Sequence, residues 1–167
     1  YPESNWMHKR MLAVSARFDA MPVSRHDARL ADLLHRAQAN DAYWHGLFGG
    51  LYLPHLRGGV WSSMLALEAA LDAIRPRPEV ERVDLDSDGF DEVFLRNASL
   101  QAVVRLDGTA AIRELASYRL AQNFGDTLRR GLAVPSATRM SLRAFATSRE
   151  FCAIAPSPLA AAIMDAS

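Results

Sequence analysis

One cysteine, Cys152, stands in 167 residues, so the chain cannot close a disulfide on itself or build a thiolate metal cluster. Charge of one sign is missing too. Nineteen Lys and Arg balance nineteen Asp and Glu, a formal net charge of zero. That balance lacks the basic footprint of a nucleic-acid binder and offers no electrostatic steering. No apolar run reaches the ~20 residues of a membrane span, and no basic segment followed by an apolar core opens the chain. A cytoplasmic location is the expectation. Also missing are G-x-S-x-G, a glycine-rich phosphate loop and H-E-x-x-H. The five histidines (His8, His26, His35, His45, His55) show no zinc-like pairing with carboxylates or cysteine. The chain by itself declares no catalytic residue and implies no organic cofactor.

Half the residues are apolar, a globular composition, and the length suits one ordinary domain or two small ones. Residue 1 is a tyrosine, which suggests a processed chain or a fragment with sequence expected upstream. Residues 1–5 read as a lead-in, and the composition turns helical from about Trp6 to Phe18. Within that helix His8, Lys9 and Arg10 read as a solvated face. Ser24 with Asp27 signals the cap of a second helix, whose Leu30, Leu33, Leu34 and Ala37 follow a buried stripe. At about 100° per residue the stripe continues to Asp41, Trp44 and Phe48. A carboxylate there needs a partner or a wet cavity. Two readings stand: Asp41 caps a neighbouring helix or pairs with Arg57, or it belongs to a binding site.

Gly49-Gly50 suits a helix C-cap, and Leu53–Arg57 reads as extended, with Pro54 opposing a return to helix. A third helix is predicted from about Gly59 to Ile74, with Val60, Met64, Leu67, Leu71 and Ile74 on one side. Arg75–Val80 is a proline-punctuated linker. The pattern then alternates. Residues 80–97 predict two strands around a turn-rich centre, and Leu100–Leu106 and Ala110–Leu115 predict a hairpin about Asp107-Gly108. The fold class expected is α+β. A small helical bundle (1–75) and a linker (76–80) precede the beginning of a β-sandwich-like module (81–130) and a divergent or disordered tail (131–167). In that tail Leu159–Met164 could form a short apolar helix.

Two clusters carry chemistry. Asn40, Asp41, Tyr43, Trp44 and His45 combine aromatic faces with an amide, a carboxylate and an imidazole, the mixture that sugar recognition needs. Asp84, Asp86, Asp88, Gly89 and Glu92 form D-x-D-x-D-G-x-x-E, whose alternating carboxylates suit a structural calcium ion. Position twelve is Leu95 rather than glutamate and no helices flank it, so it is not an EF-hand. The other reading is a solvated acidic turn capped by its own side chains. Asp91 points the other way.

YPESNWMHKRML (1–12), RAQANDAYWHGLFGGLYLPHLR (36–57), DLDSDGFDEVFLRN (84–97) and NFGDTLRR (123–130) occur in that order. Over about residues 1–130 the chain resembles the region after the catalytic barrel in glycoside hydrolase family 57, the 4-α-glucanotransferase and α-amylase branch. The resemblance implies a helical bundle that closes over a barrel preceding Tyr1, then the opening of a C-terminal β-sandwich. It implies that Trp44 stacks on a glucosyl ring, that Asp41 and His45 bind hydroxyls, and that Asn40 and Tyr43 share the motif. The partner implied is α-1,4-glucan or malto-oligosaccharide, with a retaining double displacement carried out by barrel carboxylates absent here. The alternative is a stand-alone calcium-stabilised module that binds carbohydrate or protein without catalysis. After Arg130 the expected run of strands fails to appear, as a truncated, divergent or frame-shifted end would produce.

Overall fold

The computed structural model describes residues 2–108 and 111–127. Three helices form, α1 (Pro2–Asp19), α2 (Ala28–Ala37) and α3 (Pro54–Ile74), followed by five strands. The strands are β1 (Val80–Val83), β2 (Glu92–Arg96), β3 (Leu100–Arg105), β4 (Ile112–Ser117) and β5 (Gln122–Asn123). They pair in chain order as an antiparallel meander, so each strand turns back beside the one before it and no crossover is needed. The α+β class is as expected. The predicted tail, including Leu159–Met164, lies outside the described residues. No described helix is long and apolar enough to cross a membrane.

Local chemistry explains most boundaries, and corrects several. α1 begins at Pro2, inside what reads as a lead-in. α2 is capped by Asp27, not Ser24, with the Asp27 carboxylate accepting the Leu30 N–H at 2.7 Å. α3 starts at Pro54 rather than Gly59, because proline at the first helical position loses no hydrogen bond and has its φ already set. His55, Leu56 and Arg57 are therefore helical, not extended. β1 and β2 close the predicted hairpin, and Gly108 takes φ +82 in the Asp107-Gly108 turn between β3 and β4.

The core runs along α3, which is buried on two sides. Val60, Met64, Leu67 and Leu71 pack toward α1 and α2, joining Met7, Met11, Val14, Phe18, Leu30 and Leu34. Ile74, predicted on the same stripe, is exposed. The other side, with Leu65, meets Ala116 and Tyr118 of the sheet. Trp6 of α1 stacks on Phe94 of β2, with ring centroids 6.1 Å apart.

Between helices and sheet lies an ionic layer that the composition conceals. Arg10 is 2 % exposed, so the solvated reading of His8–Arg10 fails at its third residue. Its guanidinium forks onto Glu68 of α3 at 2.9 and 2.8 Å, while its Nε reaches Glu114 of β4 at 3.0 Å. Trp6 Nε1 and Gln101 Nε2 also donate to Glu114, at 3.2 and 2.6 Å. Arg77, in the stretch between α3 and β1, donates to Glu68 at 2.7 Å, to Asp72 and to the Tyr118 hydroxyl. Arg17 completes the layer on Asp72. Burial opposes the charge of Glu68, but Arg10 and Arg77 outweigh it and hold the carboxyl down at about 2.

A bulge in β4 serves this layer. Val103 pairs with Glu114 but Val104 pairs with Ile112, so Arg113 is the extra residue. Adjacent strand residues ordinarily face opposite ways. Here both reach Trp6: Glu114 accepts its indole N–H, and the Arg113 guanidinium lies 4.8 Å from its ring centre.

Replacing Glu68 by Gln leaves Arg10 and Arg77 short of a counter-charge, and is expected to cost about 3–5 kcal/mol in urea unfolding at neutral pH. A carboxyl depressed on folding contributes fully above its unfolded pKa of about 4.3, and that contribution is lost as pH falls toward the folded value. Urea midpoints of the parent chain should therefore drop between about pH 5 and 2, and those of Glu68→Gln should drop less steeply over the same window. Equal slopes would exclude Glu68 as the titrating group.

Candidate functional site

The predicted binding residues lie on the connection from α2 to α3, and the structure arranges them differently from a continued helix. α2 stops at Ala37, and the chain makes a 3-10 turn over Asn40–Tyr43 and a second over Gly50–Tyr52. The inward stripe does not reach Asp41, Trp44 and Phe48, because ending the helix resets its phase. Ala42 is the buried residue of the turn, at 2 % exposure, while Asn40 and Asp41 are exposed. Trp44 is 50 % exposed and Phe48 91 %. The burial penalty that demanded a partner for Asp41 therefore does not arise. Nor does Arg57 pair with it: its Nε reaches Asp126 at 2.9 Å, and its Nη1 donates to the Leu51 carbonyl at 2.6 Å.

The loop is pinned from beneath. Tyr43 is half-buried against the core, and its hydroxyl donates to the Ala37 carbonyl. Burial pushes that hydroxyl's pKa well above the ordinary tyrosine value, which keeps it a donor. Ser4 of α1 donates to the Tyr43 carbonyl, and His8 meets the Tyr43 ring edge-on at 5.9 Å between centroids. Leu51, 1 % exposed, anchors the other end. Between the anchors the Trp44 carbonyl accepts the N–H groups of Gly46 at 3.1 Å and Leu51 at 2.9 Å. Gly49 and Gly50 take φ +120 and +48, as two glycines allow, although they close this loop and not a helix.

Of the five predicted residues, Asn40, Asp41 and Trp44 face solvent, His45 is half-buried, and Tyr43 turns inward as a support. The His45 ring lies 4.8 Å from that of Tyr52, itself 52 % exposed. Tyr52 and the outward Leu47 and Phe48 extend the aromatic and apolar surface. The one sequence signal for Leu47 and Phe48 is their place among glycines in G-L-F-G-G, where a chain turns back at the surface. This surface offers ring faces beside an amide and a carboxylate. It is suited to stacking and hydrogen bonding rather than to bond breaking.

The acidic loop joins β1 to β2. One carboxylate oxygen from each of Asp84, Asp86 and Asp88 falls within 4.8 Å of the others. Glu92 lies outside that triple; it is fully buried and accepts the Leu85 N–H at 3.0 Å. Asp84 accepts the N–H groups of Asp88 and Gly89, and Asp88 accepts that of Phe90. Arg113 reaches Asp86 at 2.8 Å, and Arg105 bonds Asp88. Asp91 turns away to Arg82, as expected. Burial raises the pKa of both Asp86 and Glu92, against the pull of Arg113.

Family models match two stretches of the chain. Residues 1–71 match "Alpha-amylase/4-alpha-glucanotransferase, middle domain", and residues 84–132 match "Alpha-amylase/4-alpha-glucanotransferase, C-terminal". The chain is 44 % identical over 133 residues to a 4-alpha-glucanotransferase of Thermococcus kodakarensis, covering 78 % of this chain and 18 % of that protein. It is 43 % identical over 130 residues to an alpha-amylase of Pyrococcus abyssi, again covering 78 % and 18 %. The crystal structure of 4-alpha-glucanotransferase from Thermococcus litoralis superposes with a TM-score of 0.67 at 42 % identity, over 78 % of this chain and 19 % of that one. The chain thus spans about a fifth of the length of these relatives.

A Cβ at Gly50 would lie 2.2 Å from the Trp44 carbonyl oxygen. Gly50→Ala should therefore cost about 2 kcal/mol or more in urea unfolding, from the clash and the positive φ together. Gly58 and Gly59, in α3 with open space around them, supply the contrast. Alanine at either is expected to be neutral or to stabilise by up to about 1 kcal/mol.

Proposed function

The chain belongs to the alpha-amylase/4-alpha-glucanotransferase family, and from that premise we propose that it is the substrate-binding and supporting part of an α-1,4-glucan-processing enzyme. Its residues correspond to the middle and C-terminal domains of that family, not to a barrel. Bond cleavage, a retaining displacement through a glycosyl-enzyme, falls to carboxylates outside these residues. Within them Glu68 and Glu114 are paired with arginines, and Asp41 is exposed on its loop. The substrate proposed is amylose or a malto-oligosaccharide.

The observation that carries this reading is the pinned loop that leaves Trp44 half exposed beside Asn40, Asp41 and His45. A tryptophan held out of the core gives up burial worth about 2–3 kcal/mol. Its support from Tyr43, Gly50 and Leu51 fixes where the ring is presented, which reduces the ordering cost of binding. In this reading Trp44 stacks on the apolar face of a glucosyl unit. Asp41, Asn40 and His45 take hydroxyls, and Tyr43 acts through the backbone it holds.

The test is Trp44→Ala in the enzyme that contains this chain, assayed on malto-oligosaccharides. KM is expected to rise about tenfold, corresponding to the ~1–2 kcal/mol of one ring contact, with kcat changed much less. Unchanged kinetics would show that the ring does not touch substrate.

A further inference from the structure

The acidic loop carries an inference that does not depend on the sugar-binding reading. We propose that it is a divalent-cation site of the calcium type, in which Asp84, Asp86 and Asp88 supply carboxylate oxygens to one ion. Calcium–oxygen bonds of ~2.3–2.6 Å place ligands on opposite sides of the ion up to about 5 Å apart. The three aspartate oxygens, all within 4.8 Å of one another, therefore fit one coordination sphere.

A self-capped acidic turn explains part of the loop but not all of it. It accounts for Asp84 and Asp88, whose oxygens accept the N–H groups of the loop. It leaves two atoms unexplained. Asp86 is 7 % exposed and its Oδ1 has no hydrogen-bond partner among the described residues. Glu92 is 0 % exposed and its Oε1 is likewise unpartnered among them. Buried carboxylate oxygens that meet no protein donor are rare because desolvation is costly, and a cation held by the three aspartates removes that cost at Asp86.

The charges agree. Asp84, Asp86, Asp88 and Glu92, with Asp107 also on Arg105, outnumber the two guanidiniums of Arg105 and Arg113, so the loop keeps the net negative charge that a cation needs. Hard oxygen donors in an irregular loop favour calcium over magnesium, which holds its waters and demands an octahedron. Position matters as well. Asp86 is bonded to Arg113, whose guanidinium covers the Trp6 ring, so an ion in this loop braces the sheet where it meets α1.

Thermal unfolding of the full chain in chelator, in about 1 mM calcium and in about 1 mM magnesium, at matched ionic strength, tests the site. Calcium is expected to raise Tm by about 5 °C, magnesium much less, and Asp88→Asn should abolish the calcium shift. A Tm insensitive to calcium, an equal rise with magnesium, or a full calcium shift in Asp88→Asn would overturn the proposal. Should that variant not fold, equilibrium dialysis of the unaltered chain against labelled calcium decides. One ion per chain supports the site, and none bound at about 1 mM rejects it.

Discussion

Arg10 lies buried between Glu68 of α3 and Glu114 of β4, and the rest of the molecule is arranged so that this triad can exist. A guanidinium out of water is tolerated only when its donors are met by anions of matching geometry, and both carboxylates in turn need further donors. Arg77, Gln101 and Trp6 supply them, drawing in the residues between α3 and β1, a central strand and the first helix. The helices and the sheet are thereby keyed to one relative placement. Apolar packing alone tolerates sliding, whereas a forked ion pair does not. The stretch at 76–80, which reads as a linker, includes Arg77 as one of the keys.

The exposed aromatic loop depends on that placement at second hand. Its supports come from α1 through Ser4 and His8, from α3 through Arg57, and from beyond β5 through Asp126, which holds Arg57. Ser4 and Arg57 thus hold two backbone carbonyls, those of Tyr43 and Leu51, while Asp126 fixes Arg57 in turn. This is how a segment without regular structure can present a tryptophan at a defined position. The loop bends at two glycines, and the Trp44 carbonyl fills the space that a side chain at Gly50 would take.

Much of the fold was legible because its signals are local. The stripe Leu30, Leu33, Leu34 and Ala37 marked α2, alternation marked β1 through β4, and Asp107-Gly108 marked a hairpin. What failed, failed for a definite reason. Extending the helical phase past Ala37 puts Asp41 inward, yet nothing within the helix pattern marks the 3-10 turn that follows it. Pro54 suggests a break because proline interrupts helices, although at the first position it opens one. Arg10 suggests a solvated face because an arginine in a lone helix has water for its partner. Its true partners are Glu68, 58 positions away, and Glu114, 104 positions away.

By itself the sequence determined which residue types could act here. Aromatic rings, an amide, a carboxylate and an imidazole cluster in one short stretch, and alternating aspartates cluster in another. Composition and spacing are properties of the chain and survive any folding. The tertiary structure alone decided which of those groups face water, which are spent on support and which remain unsatisfied. Trp44 faces out, Tyr43 turns in, and Asp86 and Glu92 are buried with an oxygen to spare. Burial and partnership depend on contacts between distant segments, and no local pattern encodes them.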